Sequence, residues 1–232
     1  MRLDNYLTNK NPEYTRSKIT DLIKRGFVKV NDKTVNKAGF KVYDGDIIKL
    51  EKENVYVSRG ADKLKHALST FNLSFDNLIV VDVGSSTGGF TEIALESNAK
   101  LVYAYDVGTN QLDPRLKEND RVLSFEGTNI LDVVLPLNDI CIVDVSFTSV
   151  IPILNHLKDQ TNEIIFLLKP QFEVDKKDLK KGILKDLRKH NDVIKKITDF
   201  INDINYKIKG FTRSSVKGKE GNTEYFFYIK RG

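Results

Sequence analysis

The feature that most limits the possible folds is an apolar run that leads directly into a glycine-rich turn. Residues 78–83 (LIVVDV) predict a buried strand, and DVGSSTGGF follows at 82–90 before a predicted helix. Glycines let the backbone pass close to a ligand, and the N-terminus of the following helix favours electron-rich groups. The turn has neither the GxGxxG spacing of dinucleotide enzymes nor the lysine of a phosphate loop. It therefore indicates a ligand site at a strand end.

An acidic residue at the end of the next strand narrows the choice of ligand. Asp106 lies 24 positions after Asp82. An acid near that spacing accepts hydrogen bonds from the ribose hydroxyls of a bound nucleoside. Together with the turn, Asp106 favours an adenosyl cofactor in a Rossmann-like site. The alternative is an ordinary strand-to-helix turn, which also uses glycine.

Strands and helices alternate beyond residue 61. Further strands are predicted at 101–106, 122–125, 140–144, 163–168, 206–212 and 224–230. A long helix with one buried face is predicted from the spacing of Ile194, Ile197, Ile201 and Ile204. The alternation predicts an α/β fold, a Rossmann-like and mostly parallel sheet with helices on both faces.

The first 50 residues predict a small α+β unit of their own. Leu3, Tyr6 and Leu7 share one face of a short helix, and Thr15 is placed to cap a second helix. Short apolar runs after Gly26 predict strands, with an Asp-Gly-Asp turn before the last of them.

The positive charge of the chain is concentrated in this first part. Residues 1–60 hold 13 basic and 8 acidic residues, a net charge of +5, whereas residues 61–232 hold 24 of each. Such asymmetry is typical of a module that binds a polyanion. The alternatives are a lysine-rich solvated surface, or a basic helical cap that docks on the second domain.

The polar stretch EKENVYVSRG at 51–60 has no periodicity and predicts a linker. We therefore predict a first domain at 1–52, a linker at 53–60 and a second domain at 61–232. A moving linker would let the first domain dock on a polyanion while the other reaches its target.

Composition excludes several other classes. The single cysteine, Cys141, permits no disulfide framework, and the scattered His66, His156 and His190 predict no metal site. The N-terminus has no signal-peptide pattern, and no run of about 18 apolar residues predicts a membrane span. We expect a soluble, cytoplasmic protein.

Four polar residues lie at strand ends or beside them, where this fold holds its ligands. Lys63 precedes the first strand, Asp144 and Lys169 end two strands, and Glu224 starts the last strand. Each has an ordinary explanation as a surface residue. Lys169 is harder to explain as a surface residue, because it directly follows the apolar run IIFLL.

The order of these motifs resembles the haemolysin A (TlyA) family, whose catalytic domain is similar to FtsJ-type RNA methyltransferases. The matching segments are VSRGADKL (57–64), VVDVGSSTGGFTE (80–92), YAYDVGTNQL (103–112), GTNI (127–130), VDVSFTS (143–149), LLKPQFE (167–173) and VKGKEGNTEYF (216–226). The N-terminal segments RLDNYL, TRSKITDLIKRGFVKVNDKTV and YDGDIIKL resemble the alpha-L RNA-binding module first named from a small-subunit ribosomal protein. The resemblance covers nearly the whole chain.

Some positions differ from the commonest family pattern. Ala61 and Asp62 replace a glycine and an apolar residue, and Tyr105 replaces a small apolar residue. The segment GILKD at 182–186 resembles the family's GVVRD only through conservative changes.

The resemblance implies a Lys-Asp-Lys-Glu tetrad formed by Lys63, Asp144, Lys169 and Glu224. It implies S-adenosyl-L-methionine as cofactor, with contacts from Asp82, Gly84, Ser85, Ser86, Thr87, Gly88, Gly89, Phe90, Asp106, Asn129 and Asp144. The predicted RNA contacts are Arg2, Arg16, Ser17, Lys18, Lys24, Arg25 and Lys29.

The implied reaction is 2′-O-methylation of a cytidine in ribosomal RNA. Lys169 would take or guide the proton of the hydroxyl, while Asp144 and Glu224 would orient the lysines. The short ends of the chain favour the large ribosomal subunit as partner. We expect a monomer without an obligate protein partner.

Two other function classes remain open. A cytolysin, which the family's older name suggests, should show an export signal or a membrane-inserting segment, and the sequence has neither. A non-catalytic ribosome-assembly factor could share the fold, because a fold alone does not establish chemistry.

Overall fold

The computed structural model describes residues 1–51, 56–218 and 220–232. The chain forms two compact units, Met1–Val55 and Tyr56–Gly232. Each unit has its own apolar core. No helix among the described residues is long and apolar enough to cross a membrane.

The first unit is a small α+β fold, as predicted. Its elements are α1 (Leu3–Lys10), α2 (Arg16–Lys24), β1 (Val28–Val30), β2 (Lys33–Thr34) and β3 (Ile48–Leu50). The strands form an antiparallel sheet in the order β2-β1-β3.

Local sequence explains how the helices of this unit begin and pack. The Thr15 hydroxyl accepts a hydrogen bond from Lys18 N at 3.2 Å, which caps α2 at its N-terminus. Ile19, Leu22 and Ile23 recur at helical spacing and are buried against Leu3 of α1.

The second unit contains a seven-stranded sheet in the order β6-β5-β4-β7-β8-β10-β9. Its strands are β4 (Ile79–Val83), β5 (Leu101–Tyr105), β6 (Val122–Phe125), β7 (Ile140–Val143), β8 (Glu163–Leu168), β9 (Tyr206–Arg213) and β10 (Tyr225–Arg231). The strands β4 to β8 are parallel, and β10 pairs antiparallel with β8 and β9. This confirms the predicted Rossmann-like class.

Helices cover both faces of this sheet. They are α3 (Arg59–Phe71), α4 (Gly89–Glu96), α5 (Pro114–Lys117), α6 (Val150–Leu157) and α7 (Leu187–Asp203), with 3-10 turns at Ile130–Asp132, Pro170–Phe172 and Lys176–Asp178. Residues of α3 and α4 pack into the core on one face, and residues of α6 and α7 pack into the core on the other.

The order of the strands determines where a ligand can bind. The chain runs outwards from β4 through β5 to β6, and then returns to place β7 on the other side of β4. The carboxyl ends of β4 and β7 therefore border the switch point, where open α/β sheets bind ligands. Asp106, Asp144 and Glu224 each lie one residue outside the strand to which the sequence assigned them.

The segment predicted as a linker, 53–60, falls in part on residues 53–55, which lie outside the described residues. Residues 56–60 belong to the second unit. Val57 is buried in its core, its N–H donates to Glu92 Oε2 at 2.6 Å, and Arg59 begins α3.

Candidate functional site

The turn between β4 and α4 is held against its two neighbouring strands. Gly84 N and Ser85 N donate to the carbonyl oxygen of Tyr105, at 2.9 and 3.0 Å. Gly84 has φ +84°, and a Cβ at this position would lie 2.9 Å from the carbonyl oxygen of Asp144. Only glycine accommodates both the left-handed backbone and this close approach.

The carboxylate of Asp106 joins this turn to the loop after β5. Its Oδ2 accepts a hydrogen bond from Ser86 N at 2.8 Å, and its Oδ1 accepts one from Gly108 N at 2.7 Å. Each carboxylate oxygen has a second lone pair that can accept a further donor. Asp106 is therefore fixed in orientation and still able to accept from ribose hydroxyls.

A cavity of about 560 Å³ opens beside Asp106. Its polar wall includes Gly84, Ser86, Gln111, Thr128 and Asn129, and its apolar wall includes Val107, Ile130 and Leu131. The volume lies within the usual range for small-molecule and cofactor sites. An apolar wall for a purine ring, an acid for ribose and a glycine cradle together fit an adenosyl cofactor.

Four predicted residues form two ion pairs next to this cavity. Lys63 Nζ donates to Glu224 Oε2 at 2.6 Å. Lys169 Nζ forms an ion pair with Asp144 Oδ1 at 2.5 Å. Lys169 Nζ also donates to Ser146 Oγ at 2.7 Å.

These pairs are well shielded from solvent. The side chain of Glu224 is 3% exposed and that of Lys169 is 9% exposed. Lys63 projects from α3, Asp144 and Lys169 follow β7 and β8, and Glu224 precedes β10. Elements far apart in the chain thus place two cations and two anions in one region.

All four residues line a second cavity of about 780 Å³. Both cavities share the residues Gly84, Ser86, Asp144, Ser146 and Phe147. A molecule in the first cavity and a molecule in the second would therefore meet at this shared wall. The geometry suits a transfer between a bound cofactor and a second substrate.

The remaining predicted cofactor contacts are divided between the two cavities. Ser85, Thr87, Gly89 and Phe90 line the second cavity, whereas Asn129 lines the first. Gly88 lines neither cavity, because it packs against the side chains of Leu112 and Leu116.

Asp82 also lies outside both cavities and is fully buried. Its Oδ2 accepts a hydrogen bond from the Thr91 hydroxyl at 2.6 Å, and its Oδ1 has no hydrogen-bond partner among the residues that the structure describes. Burial, together with the nearby acids Asp144 and Asp106, raises the pKa of Asp82 to about 7.

Several residues at the second cavity were not identified from the sequence. Ser146 binds Lys169. Gln171 lines the cavity, and its buried Oε1 has no hydrogen-bond partner within the described part of the chain. Phe147 is 90% exposed with φ +63°, and its ring lies 5.4 Å from that of Phe172. The segments VDVSFTS and LLKPQFE contained all four residues, but only the contacts identify them.

The predicted RNA contacts of the first unit fall in two places. Arg2 and Arg16 both bind the buried carboxylate of Asp4, at 2.9 and 3.1 Å, and Ser17 and Lys18 adjoin Arg16 in the first turn of α2. The hydrogen bonds of the arginines hold the pKa of Asp4 well below its ordinary value.

The other predicted contacts lie away from this end of α2. Lys24 and Arg25 are at its C-terminus, and Arg25 forms an ion pair with Asp21 at 3.6 Å. Lys29 lies in β1 and pairs with Glu51 at 2.5 Å. The described residues contain no group of three or more His, Cys, Asp or Glu side chains able to hold a metal ion.

Comparisons with known proteins agree with this arrangement. Residues 56–231 match the family model of FtsJ-like methyltransferases, and residues 1–48 match that of the S4 domain. Among relatives, the chain is 38% identical to Hemolysin A of Brachyspira hyodysenteriae, with 99% of each chain covered. It is 36% identical to the 23S rRNA (cytidine-2′-O)-methyltransferase TlyA of Campylobacter jejuni, with 98% of each chain covered.

A solved structure is similar over the full length of the chain. It is a protein described as a hemolysin from Streptococcus thermophilus, 37% identical, with a TM-score of 0.77 and coverage of 100% of this chain and 88% of the other. The predicted family resemblance is confirmed. The chain belongs to the FtsJ-like methyltransferase family and carries an S4 domain ahead of its catalytic unit.

Proposed function

We propose that this enzyme transfers a methyl group from S-adenosyl-L-methionine to the 2′-hydroxyl of a cytidine in ribosomal RNA. The observation that carries the proposal is the pair of lysine–carboxylate contacts at the wall shared by the two cavities. The name of the Campylobacter jejuni relative supports the choice of nucleotide and acceptor atom.

In this proposal the first cavity holds the cofactor. Asp106 would accept from its ribose hydroxyls, Val107 and Ile130 would hold its purine ring, and Gly84 and Asn129 would hold its amino-acid part. The cofactor supplies an electrophilic methyl group when it is bound. Gly84 and Asp144 line both cavities, so a methyl group held beside them would face the second cavity.

The tetrad then acts on the hydroxyl group of the RNA. Lys169 contacts the attacking oxygen, and guides or accepts its proton, while Asp144 and Ser146 keep the amine in place. The Lys63–Glu224 pair, which lines the same cavity, orients the ribose. Holding the reacting atoms in line provides most of the acceleration.

The first unit provides affinity for the RNA. Residues 1–52 bind ribosomal RNA in this proposal and residues 61–232 carry the chemistry. Arg2 and Arg16 are half-exposed beside Asp4 and present guanidinium groups to phosphates. A ribosomal RNA substrate implies a cytoplasmic location.

The test is methyl transfer from labelled S-adenosyl-L-methionine to ribosomal RNA that lacks its modifications. Free RNA, each ribosomal subunit and assembled ribosomes are offered in separate reactions. We expect label on a cytidine 2′-hydroxyl with the wild type, and a loss of about 10²- to 10⁴-fold in rate with Lys169→Ala.

The matched control is Lys195→Ala, since Lys195 is an exposed lysine of α7 paired with Asp199 and lies outside both cavities. Undiminished transfer by Lys169→Ala would remove Lys169 from the mechanism. Cofactor binding without transfer to any of the four substrates would instead favour a non-catalytic ribosome-assembly factor.

A further inference from the structure

The second unit carries a basic surface that its overall charge conceals. Residues 175–189 contain seven basic and three acidic residues, a net charge of +4, within a region of zero net charge at 61–232. The basic residues are Lys176, Lys177, Lys180, Lys181, Lys185, Arg188 and Lys189.

Only part of this charge is neutralised locally. Lys177 pairs with Asp175 at 3.0 Å and Lys189 pairs with Asp178 at 2.9 Å. The other four lysines are exposed and have no acidic partner within ion-pair distance among residues 1–51, 56–218 and 220–232. These four are Lys176, Lys180, Lys181 and Lys185.

Two of these lysines lie on a tight turn at 180–183, which we call the lysine turn. Lys180 N donates to Ile183 O at 2.9 Å, and Ile183 N donates to Lys180 O at 3.1 Å. The two central residues, Lys181 and Gly182, have φ +52° and +77°. This is the backbone of a tight hairpin turn with left-handed central residues.

A buried side chain from a distant part of the sequence holds the lysine turn. Asn222 is 2% exposed, its Nδ2 donates to Gly182 O at 2.9 Å, and its Oδ1 accepts from Leu184 N at 2.9 Å. His190 Nε2 lies 3.1 Å from Leu184 O. The turn is therefore rigid, and ordering it costs little when an anion binds.

The lysine turn lies at the edge of the tetrad cavity. Lys176, Leu179 and Gly182 line the same cavity as Lys63 and Glu224. Gly182 of the turn lines the tetrad cavity, and no residue of the turn lines the cofactor cavity. Lys180 itself borders a neighbouring depression with Lys185, Lys189, Asp178 and Asp186. We therefore assign an anion at the turn to the molecule in the adjoining tetrad cavity rather than to the cofactor.

We propose that Lys180 and Lys181 of the lysine turn bind the phosphodiester backbone of the RNA strand next to the target ribose. The inference rests on the proposed function, since it assigns the anion to the same RNA. A nucleotide in the tetrad cavity continues into a charged backbone on both sides, and flexible lysines suit phosphate as point charges. The lysine turn then fixes the direction in which the strand crosses the cavity.

The test compares Lys180→Ala/Lys181→Ala with Lys195→Ala/Lys196→Ala in the full-length protein. The control removes two exposed lysines of α7 that line a separate depression with Asp192, Asp199 and Asp203. The measurement is the dissociation constant for an unmodified ribosomal RNA transcript at several salt concentrations. Each phosphate contact contributes about 0.7–0.9 to the slope of log affinity against log salt concentration.

We expect the variant at the lysine turn to bind the transcript about tenfold more weakly, with a salt slope lower by about 1 to 2. Cofactor binding and the melting temperature should be unchanged, and Lys180→Arg/Lys181→Arg should restore affinity because the charge returns. The control variant should bind as the wild type does.

An unchanged dissociation constant and salt slope in Lys180→Ala/Lys181→Ala would overturn the inference while methyl transfer by the wild type remained intact. Weaker binding to an assembled subunit but not to the transcript would also overturn it, because the contact would then be to ribosomal protein. Failure of the proposed function itself would appear differently, as the absence of methyl transfer by the wild type.

Discussion

The two units bury carboxylates among different numbers of cations. Asp4 of the first unit meets two guanidinium groups, those of Arg2 and Arg16, and its side chain is 3% exposed. In the second unit, Asp144 and Glu224 meet one lysine each. The first cluster therefore has an excess of positive charge, and the tetrad is balanced.

This difference separates two uses of the same kind of ion pair. The arginines around Asp4 are more than half exposed, so they can form further contacts with phosphates. The tetrad lysines are shielded, and their carboxylates fix their positions, as the proposed chemistry requires. Asp82 is a third case, because it is buried with the Thr91 hydroxyl as its partner and pairs with no cation among the described residues. Burial alone therefore does not determine which kind of partner a carboxylate has in this protein.

The largest effect on activity is expected when the balance of the tetrad is broken. Glu224→Gln leaves the Lys63 ammonium buried without a carboxylate. Breaking a buried ion pair costs about 3–5 kcal/mol, and we expect the free energy of unfolding to fall toward the lower end of that range. Methyl transfer should fall by about 100-fold or more, measured at saturating RNA.

The matched variant removes both charges together. Lys63→Met/Glu224→Leu should recover most of the lost stability, because an apolar pair can replace a buried ion pair at little cost. Activity should stay low, since the ribose loses its contact. Recovery of activity along with stability would show that the pair serves only the fold.

The second prediction concerns the buried acid without a cation. The pKa of Asp82 is raised from 3.8 to about 7, so the folded protein keeps this proton between about pH 4 and pH 7 while the unfolded chain loses it. The free energy of unfolding should therefore fall as the pH rises through this interval, by on the order of 4 kcal/mol in total.

Asp82→Asn removes this titration and keeps an acceptor for Thr91. Thermal unfolding should show similar melting temperatures for variant and wild type near pH 4, with the variant several degrees higher near pH 8. The exposed Asp76→Asn serves as control and should follow the wild type. Parallel curves for wild type and Asp82→Asn would contradict the assignment.

Sequence patterns predicted the strands and helices, because these elements depend mainly on residues close together in the chain. Apolar runs identified the parallel strands, and the strand ends placed Asp106 and Asp144 at the edge where they lie. The strand end did not predict the place of Asp82: side chains along β4 alternate between the two faces, and that of Asp82 bonds Thr91 of α4 instead of reaching a cavity.

Those patterns did not predict contacts between residues that are far apart in the sequence. Asn222 holds a turn 40 residues away, and Lys169 binds Ser146 from a different strand end. The zero net charge of residues 61–232 gives no sign of the basic surface at 175–189. Contacts of this kind depend on which strand ends become neighbours in the sheet. They can be predicted only once the order of the strands is known.

A smaller effect is expected at the cluster with excess positive charge. Asp4→Asn leaves Arg2 and Arg16 without a common carboxylate. We expect the first unit to lose about 1.5–3 kcal/mol of stability, which is the range for hydrogen bonds to charged groups. RNA affinity should fall because the arginines are no longer held in place.

Calorimetry and RNA titration measure the two effects separately. The exposed Asp44→Asn is the matched control in the same unit. The rate of methyl transfer at saturating RNA should not change in either variant, since Asp4 lies outside the catalytic unit. A loss of that rate with Asp4→Asn would contradict the separation of roles between the two units.

The smallest structural effect is expected for Arg16→Ala, which removes one of the two cations and leaves Asp4 bound to Arg2. The Arg16 side chain is 59% exposed, and exposed pairs contribute little to stability, so the melting temperature should stay within about a degree of the wild type. The salt slope of RNA binding should nevertheless fall by about 1, because one phosphate contact is lost. Lys10→Ala, at the C-terminal end of α1, is the control for a general loss of charge. Equal salt slopes for Arg16→Ala and Lys10→Ala would show that RNA binding depends only on the total positive charge of the first unit. The arrangement of the arginines around Asp4 would then add nothing to RNA binding.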